Sequence, residues 1–268
     1  MRIAVVQLAY GDEESFDARV DRVAGLVAEQ SGHDLVVLPE LWAPTGFGYR
    51  RWADEAQPHD GPWAAAMADA ARSAGVTLHA GSFVERLPEP GPDGNDLANT
   101  SLVLGADGAL LATYRKVHRF GFGSGEPKLM EAGTDVVVLD LPDGAGGTVR
   151  TGISACYDLR FPELYRRQLE DGARMFVVVS AWPLARVGHW SLLGRARAVE
   201  NQCVLVGANT GGTHARTPMG GHSQVVAASG QVLAEAPHPD GAVLSLDVDL
   251  AATDVYRADF PVLADRRL

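Results

Sequence analysis

The chain has little of what several classes of protein require. Only two of its 268 residues are cysteines, Cys156 and Cys203, which is too few for a disulfide framework and suggests a cytoplasmic protein. No apolar run approaches the ~20 residues that span a bilayer, and residues 1–7 lack the layout of a signal peptide. Basic residues number 23 against 34 acidic ones, and the net charge of −11 disfavours nucleic acid and acidic membranes as partners.

Several motifs of known chemistry are also absent. There is no H-E-x-x-H and no close Cys/His cluster, so we expect neither a metal nor a cofactor. Neither G-x-S-x-G nor G-x-G-x-x-G stands at a strand–helix turn, which disfavours serine hydrolases and dinucleotide enzymes. A Cys–His enzyme stays open as an alternative, because His118, His189 and His222 lie in or near loops, although surface histidine is the more common interpretation.

Lysine is scarce, since only Lys116 and Lys128 stand beside 21 arginines. Codon bias explains most of such a preference. A lysine retained in this chain nevertheless indicates a place where a compact ammonium is needed instead of a planar guanidinium.

Hydrophobic residues make up 46% of the chain, which allows a large core in one domain over residues 1–268. Apolar runs alternate with helical periodicity, so each half predicts strand, helix, strand, helix, strand and a nearby hairpin. Two such halves can bury bare sheet faces against each other, which predicts an α/β fold with four layers in the order α-β-β-α. The predicted strands and hairpins cover 2–9, 34–39, 76–84, 99–116, 136–141, 149–155, 174–181, 204–209, 224–234 and 241–248. The predicted helices begin near residues 16, 62, 161 and 190.

Chemically useful side chains follow the ends of four predicted strands, where sites form in open α/β sheets. Glu40, Lys116, Cys156 and Trp182 each stand at such an end. The strand-to-helix turn at Cys156 exposes a side chain and directs backbone N–H groups at whatever binds it. Taken alone, each of these residues also has a structural interpretation. The cysteine could be a small core residue, and the glutamate and the lysine could be solvated residues at the ends of strands. Cys203 lies among apolar residues, where the structural interpretation is favoured.

The segments LPELW, YRKVHRFGF and CYDLRFPELYR, with AWP and RARAVENQ after them, resemble the nitrilase superfamily of carbon–nitrogen hydrolases. The resemblance covers nearly the whole chain and implies the same α-β-β-α sandwich. It also implies a catalytic triad, with Glu40 as general base, Lys116 as electrostatic stabiliser and Cys156 as nucleophile. Glu126 matches a second glutamate of many members, and Glu131 is its alternative.

The resemblance further implies the reaction and the assembly. A small-molecule amide would form a thioester on Cys156 and release ammonia or an amine, with Lys116 and the backbone N–H of Tyr157 holding the oxyanion. The segment AWPLARVGHW resembles the amidase-type branch, which includes ω-amidases and enzymes that cleave deaminated glutathione. Nitrile hydrolysis, N-carbamoyl amine hydrolysis and a catalytically silent binding protein remain alternatives. Members usually form homo-oligomers, so we expect a dimer.

Two further residues are candidates for substrate binding. Trp182 offers an apolar wall beside the scissile amide, and Arg186 follows it closely enough to reach over the same sheet edge. A guanidinium there suits a substrate carboxylate, whereas a surface arginine is the alternative in so arginine-rich a chain. We also expect Arg160 and Glu163 to form an ion pair that braces the turn at Cys156.

Overall fold

Two six-stranded sheets form the centre of the computed structural model, which describes residues 1–267. The strands are β1 (Arg2–Gln7), β2 (Ala9–Tyr10), β3 (Leu35–Val37), β4 (Thr77–Arg86), β5 (Leu97–Leu104), β6 (Leu110–Arg115), β7 (Val138–Pro142), β8 (Thr148–Ala155), β9 (Met175–Ser180), β10 (Val204–Asn209), β11 (Gly211–His214), β12 (Thr217–Pro218), β13 (Gln224–Val226), β14 (Val232–Glu235) and β15 (Ala242–Asp247). The helices are α1 (Phe16–Ala28), α2 (Trp52–Glu55), α3 (Pro62–Ala74), α4 (Glu126–Leu129), α5 (Pro162–Glu170), α6 (Val187–Asn201) and α7 (Ala251–Asp259).

The two sheets have matching strand orders. The first runs β15-β1-β3-β4-β5-β6 and the second β14-β13-β10-β9-β8-β7. In each, the central strands are parallel and the outer ones are antiparallel. The repeated order of elements in the two halves of the sequence therefore corresponds to two sheets with the same topology.

Three apolar clusters separate four layers. In β1 the alternate residues Ala4 and Val6 pack toward α1 and α3, whereas Ile3 and Val5 pack toward the second sheet. The second sheet repeats this pattern, with Val177 facing the first sheet and Phe176 facing α5 and α6. Such continuous apolar strands are typical of sheets covered on both faces. The predicted α-β-β-α sandwich is confirmed.

Most predicted elements are present with ends shifted by one to four residues, and the differences concern short or exposed segments. A third sheet of β12, β11 and β2, with strands of two to four residues, was not predicted, and neither were α2, α4 and α7. Among residues 1–267, no helix is long and apolar enough to cross a membrane.

Gly81 lets β4 pass close under the turn that follows β3. It adopts a φ of +72°, and a Cβ there would lie 1.9 Å from the carbonyl oxygen of Pro39. A side chain at this position would displace Pro39, and Glu40 is the next residue. The strand-end position of Glu40 therefore depends on a glycine in the neighbouring strand.

Candidate active site

Glu40 lies three residues beyond β3, in a buried turn. The next residue, Leu41, has a φ of +45°, and its N–H donates to Ser82 Oγ at 3.0 Å. The Glu40 side chain is almost completely buried, and Oε2 accepts a hydrogen bond from the Ala181 N–H at 2.9 Å. The end of β3 is thus tied to the segment after β9, which joins the two sheets at the site.

Lys116 follows β6 and lies between two carboxylates. Its Nζ donates to Glu40 Oε1 at 2.8 Å and to Glu126 Oε2 at 2.9 Å. Asn99 Nδ2 also donates to both acids, at 2.8 and 2.9 Å. All four side chains are buried, so the ammonium has a fixed position and its donors are directed at the two acids.

The charges in this cluster depend on one another. Burial alone lowers the pKa of Lys116, but the charges of Glu126 and Glu40 outweigh it and hold that pKa well above its usual value. Burial raises the pKa of Glu126, and the Glu40 charge adds to the rise while Lys116 opposes it. Lys116 therefore stays cationic throughout the neutral range, and Glu126 binds a proton more readily than an exposed glutamate does.

Cys156 stands at the first position after β8, in a 3₁₀ turn that extends to Arg160. Its φ of +45° is rare for a residue with a side chain and marks a strained turn. Burial raises the pKa of the Cys156 thiol, the Glu40 charge raises it further, and Lys116 partly opposes the rise. The thiol is therefore protonated at neutral pH, and a nucleophilic attack by it requires a base.

The thiol opens onto two adjoining small cavities of about 20 Å³ each. The inner cavity contains Glu40, Lys116 and Glu126, and the outer cavity contains Tyr157, Trp182 and Arg186. Phe47, Phe120, Cys156 and Ala181 line both. All seven predicted site residues thus line these two cavities, and Cys156, which lines both, is 9% exposed.

Two arginines stand in the wall of the outer cavity. The Arg186 guanidinium lies 5.5 Å from the centre of the Phe120 ring. The backbone carbonyl of Arg186 accepts a hydrogen bond from Trp182 Nε1 at 2.8 Å. The Arg160 guanidinium lies 4.8 Å from the centre of the Trp182 ring. Within residues 1–267, neither arginine forms an ion pair with a carboxylate of the protein, so neither guanidinium has an acidic partner.

The predicted brace between Arg160 and Glu163 is wrong. The 3₁₀ turn ends at Arg160 and α5 begins only at Pro162, so the two residues are not one turn apart on a single helix. Arg160 instead contacts Trp182 and lies 3.2 Å from His189 Nδ1. Its part in the cavity wall was missed because a sequence does not show where the turn becomes a helix.

The alternatives left open by the sequence also separate in space. Glu126 is in the cluster, whereas Glu131 accepts from the Asn95 N–H at 2.8 Å, outside both cavities. The three loop histidines line neither cavity: His118 is bonded to Asp158, His189 to Arg160 and His222 to Glu235. Asn99 was missed because it stands beside two other polar residues, Thr100 and Ser101, and the sequence does not distinguish among them.

Across residues 1–267, no three or more His, Cys, Asp or Glu side chains converge in a way that fits a metal ion. The arrangement instead offers a thiol, a buried carboxylate and a fixed ammonium around one cavity. These are the parts required for nucleophilic attack on a carbonyl carbon.

Comparison with known proteins agrees with this chemistry. The family model of carbon-nitrogen hydrolases matches residues 2–258. A 2-oxoglutaramate amidase of Paenarthrobacter nicotinovorans is 42% identical over 99% of this chain and 89% of its own length. A Xanthomonas campestris structure of the same superfamily, with an arsenic adduct in its active site, has a TM-score of 0.88 at 30% identity, covering 100% and 97% of the two chains. A glutamate-to-glutamine variant of an amidase from Nesterenkonia sp. AN1 carries the Michael addition product of acrylamide on its active-site cysteine and has a TM-score of 0.80 at 26% identity, covering 97% of both chains.

Proposed function

The chain belongs to the carbon–nitrogen hydrolase family, the nitrilase superfamily, and we propose that it is a thiol-dependent amidase of small molecules. One observation carries the proposal: Cys156 lies in a strained turn at a cavity that also contains Glu40 and Lys116. A raised thiol pKa requires a base, and Glu40 and Glu126 share the cavity of the thiol. Glu126 binds a proton readily, which favours Glu40 as the base. We assign Glu40 as base, Lys116 as electrostatic stabiliser and Cys156 as nucleophile.

The first half of the reaction forms a thioester. Glu40 takes the thiol proton, and the sulfur of Cys156 attacks the amide carbonyl. Lys116 and the Tyr157 N–H stabilise the resulting oxyanion, the Lys116 position being fixed by its bonds to the two glutamates. Glu40 then returns the proton to the nitrogen, and ammonia or an amine leaves.

The second half hydrolyses the thioester. Glu40 takes a proton from water, the hydroxide attacks the thioester carbonyl, and the thiol leaves with the proton restored. Glu126 supports both halves, because it shares Lys116 and Asn99 with Glu40 and binds a proton readily. A carboxylate that alternates between base and acid needs such a partner to keep the charge of the cluster balanced.

The outer cavity favours an amide that also carries a carboxylate. Arg186 and Arg160 stand there without a carboxylate partner among residues 1–267. Each guanidinium lies over an aromatic ring, Phe120 for Arg186 and Trp182 for Arg160. A guanidinium binds carboxylate through paired hydrogen bonds. The name of the Paenarthrobacter relative, a 2-oxoglutaramate amidase, agrees with a substrate of this kind.

Ammonia release from a panel of small amides tests the function. The panel varies the distance between the amide and a carboxylate and includes uncharged analogues, a nitrile and an N-carbamoyl amine. We expect hydrolysis of amides, with carboxylate-bearing ones preferred. Faster turnover of the nitrile or the N-carbamoyl amine would assign another branch of the family, and no turnover on any member would favour a silent binding protein.

We also propose a homodimer that associates through the face of α5 and α6. Leu192 and Val199 of α6 are 65% and 46% exposed, which is unusual for large apolar side chains on a packed helix. Mass-resolved size-exclusion chromatography at micromolar concentration should give twice the chain mass. A mass of 28.4 kDa would contradict the dimer.

A further inference from the structure

We propose that Asp158 is a positioning residue, whose carboxylate joins the strand that carries Lys116 to the turn that carries Cys156. The inference rests on the proposed function, since it assigns Asp158 a part in the same site. The side chain is fully buried and lines neither cavity. Asp158 therefore acts through other groups and does not contact the substrate.

On one side, Asp158 holds the segment around Lys116. Tyr114 Oη donates to Oδ2 at 2.6 Å, and the His118 N–H donates to Oδ1 at 2.9 Å. His118 Nδ1 lies 2.8 Å from the same Oδ1 and donates to it as the Nδ1–H tautomer. Three hydrogen bonds thus hold the residues two positions before and two positions after Lys116.

On the other side, Asp158 holds the turn that carries Cys156. The N–H of Ala155, the residue before the cysteine, donates to Oδ2 at 2.9 Å. Tyr114 and Ala155 therefore share one carboxylate oxygen. A buried carboxylate needs several donors to be stable, and this one receives all four of its hydrogen bonds from the two segments that supply Lys116 and Cys156.

The link matters because Lys116 and Cys156 come from different sheets. Lys116 follows β6 of the first sheet and Cys156 follows β8 of the second, so strand pairing does not fix the distance between them. Burial and the Asp158 charge raise the pKa of Tyr114 well above its usual value, which keeps its hydroxyl a donor. Oxyanion stabilisation requires the ammonium in its place before the reaction begins, and small displacements are costly.

His118 extends the same link to the cavity wall. Its ring stacks on Phe161 with centroids 3.8 Å apart and planes within 6°. Phe161 in turn meets the edge of Tyr157, which lines the outer cavity, at 5.1 Å. The Tyr157 N–H is the second proposed oxyanion donor, so both donors depend on groups that Asp158 holds.

Two reagents separate positioning from simple stabilisation of the fold. Acrylamide is itself an amide and a candidate substrate, so its addition is followed as the permanent mass gain on Cys156 with the reagent in large excess. When the Cys156 sulfur adds to its double bond, the electron pair moves toward the amide, negative charge develops on the amide oxygen, and the thiol proton ends on the α-carbon. Iodoacetamide alkylates the same sulfur by displacing iodide, and no such charge develops. A displaced Lys116 therefore slows the first reaction more than the second.

The chain offers a matched pair of variants. Tyr114→Phe removes the hydroxyl that donates to Asp158, and Thr100→Val removes a hydroxyl that donates to the buried Glu85 carboxylate at 2.7 Å, outside both cavities. Both residues are fully buried, so both variants should lower the melting temperature. Only Tyr114→Phe should lower the ratio of acrylamide to iodoacetamide rate constants at Cys156, by about tenfold, and kcat by a similar factor with KM unchanged.

The outcomes are decided by the rate ratio. Asp158→Asn should lower it further, by about a hundredfold, and Tyr114→Phe carries the test if that variant does not fold. An unchanged ratio in folded Tyr114→Phe, with a melting temperature lowered as in Thr100→Val, would overturn the proposal. A wild type that adds both reagents at Cys156 but hydrolyses no amide would refute the proposed function and leave the positioning test intact.

Discussion

Cys156 and Cys203 belong to one apolar cluster but lie in two regions of it that differ in their surroundings. Cys156 directly follows β8 and Cys203 directly precedes β10, and both belong to the core between the second sheet and its helices. Burial raises the pKa of both thiols, to about 12 for Cys203, where the Arg257 charge opposes the rise. Burial and a raised pKa therefore do not distinguish a nucleophile from a core residue.

What differs is the surroundings of each sulfur. Cys203 Sγ lies 3.2 Å from the Ala173 carbonyl oxygen and accepts from Arg257 at 3.1 Å, so it is closed in by the backbone and a guanidinium. Cys156 has a φ of +45° and opens onto cavities that contain a carboxylate and an ammonium. A carboxylate and an ammonium beside the same cavity therefore distinguish the thiol of Cys156 from that of Cys203.

Replacing each cysteine in turn should produce the largest difference in activity between the two regions. Cys156→Ala should lower kcat by at least about 10⁴-fold, because the reaction loses its nucleophile. Cys203→Ala should keep most of the activity, since its sulfur contacts no cavity. Steady-state hydrolysis of the preferred amide, with circular dichroism to confirm folding, measures both. An active Cys156→Ala enzyme would remove the distinction between the two regions.

Replacing the ammonium beside Cys156 should have the next largest effect. Lys116→Arg keeps the charge, but a guanidinium is wider and does not fit between the two carboxylates as a point charge. We expect turnover to fall by about 10²–10³-fold, the typical loss for one oxyanion donor. Lys128→Arg is the matched control at an exposed site and should be neutral. A Lys116→Arg enzyme with near wild-type kcat would exclude the oxyanion role.

The smallest effect concerns the outer cavity. Arg186→Ala should weaken carboxylate-bearing substrates by about 1.5–3 kcal/mol, the range for a hydrogen bond to a charged group, and barely change neutral amides. Arg2→Ala, at an exposed position at the start of β1, is the control. Values of kcat/KM for paired charged and neutral amides measure the difference. Equal losses on both substrates, or none on either, would place Arg186 outside the recognition site.

The sequence predicted the parts of the fold that depend on long periodic runs. Continuous apolar strands and amphipathic helices set the two sheets and their layers, because a strand covered on both faces is apolar at every position and each covering helix needs one apolar face. β2, β11 and β12 were missed since two to four residues carry no period. α7 was missed because its apolar residues Val255 and Tyr256 do not face the core.

For the site, strand ends located the thiol, the lysine and the first glutamate, and the resemblance added the second glutamate. Asn99 and the hydrogen bonds of Asp158 were not predicted, since both join residues that are distant in the sequence. Arg160 was given a structural partner because Glu163 follows it closely in the sequence. Side-chain direction at a turn depends on backbone angles that the residue types do not determine.

Alkylation with iodoacetamide, followed by peptide mapping, tests most directly that Cys156 is the nucleophile of an amidase. At neutral pH, with the protein folded, the label should appear on Cys156 through the cavities, in step with the loss of amide hydrolysis. Cys203, closed in by Ala173 and Arg257, should stay unlabelled until the protein unfolds. Label on Cys203 alone with activity lost, or full activity with Cys156 labelled, would contradict the account.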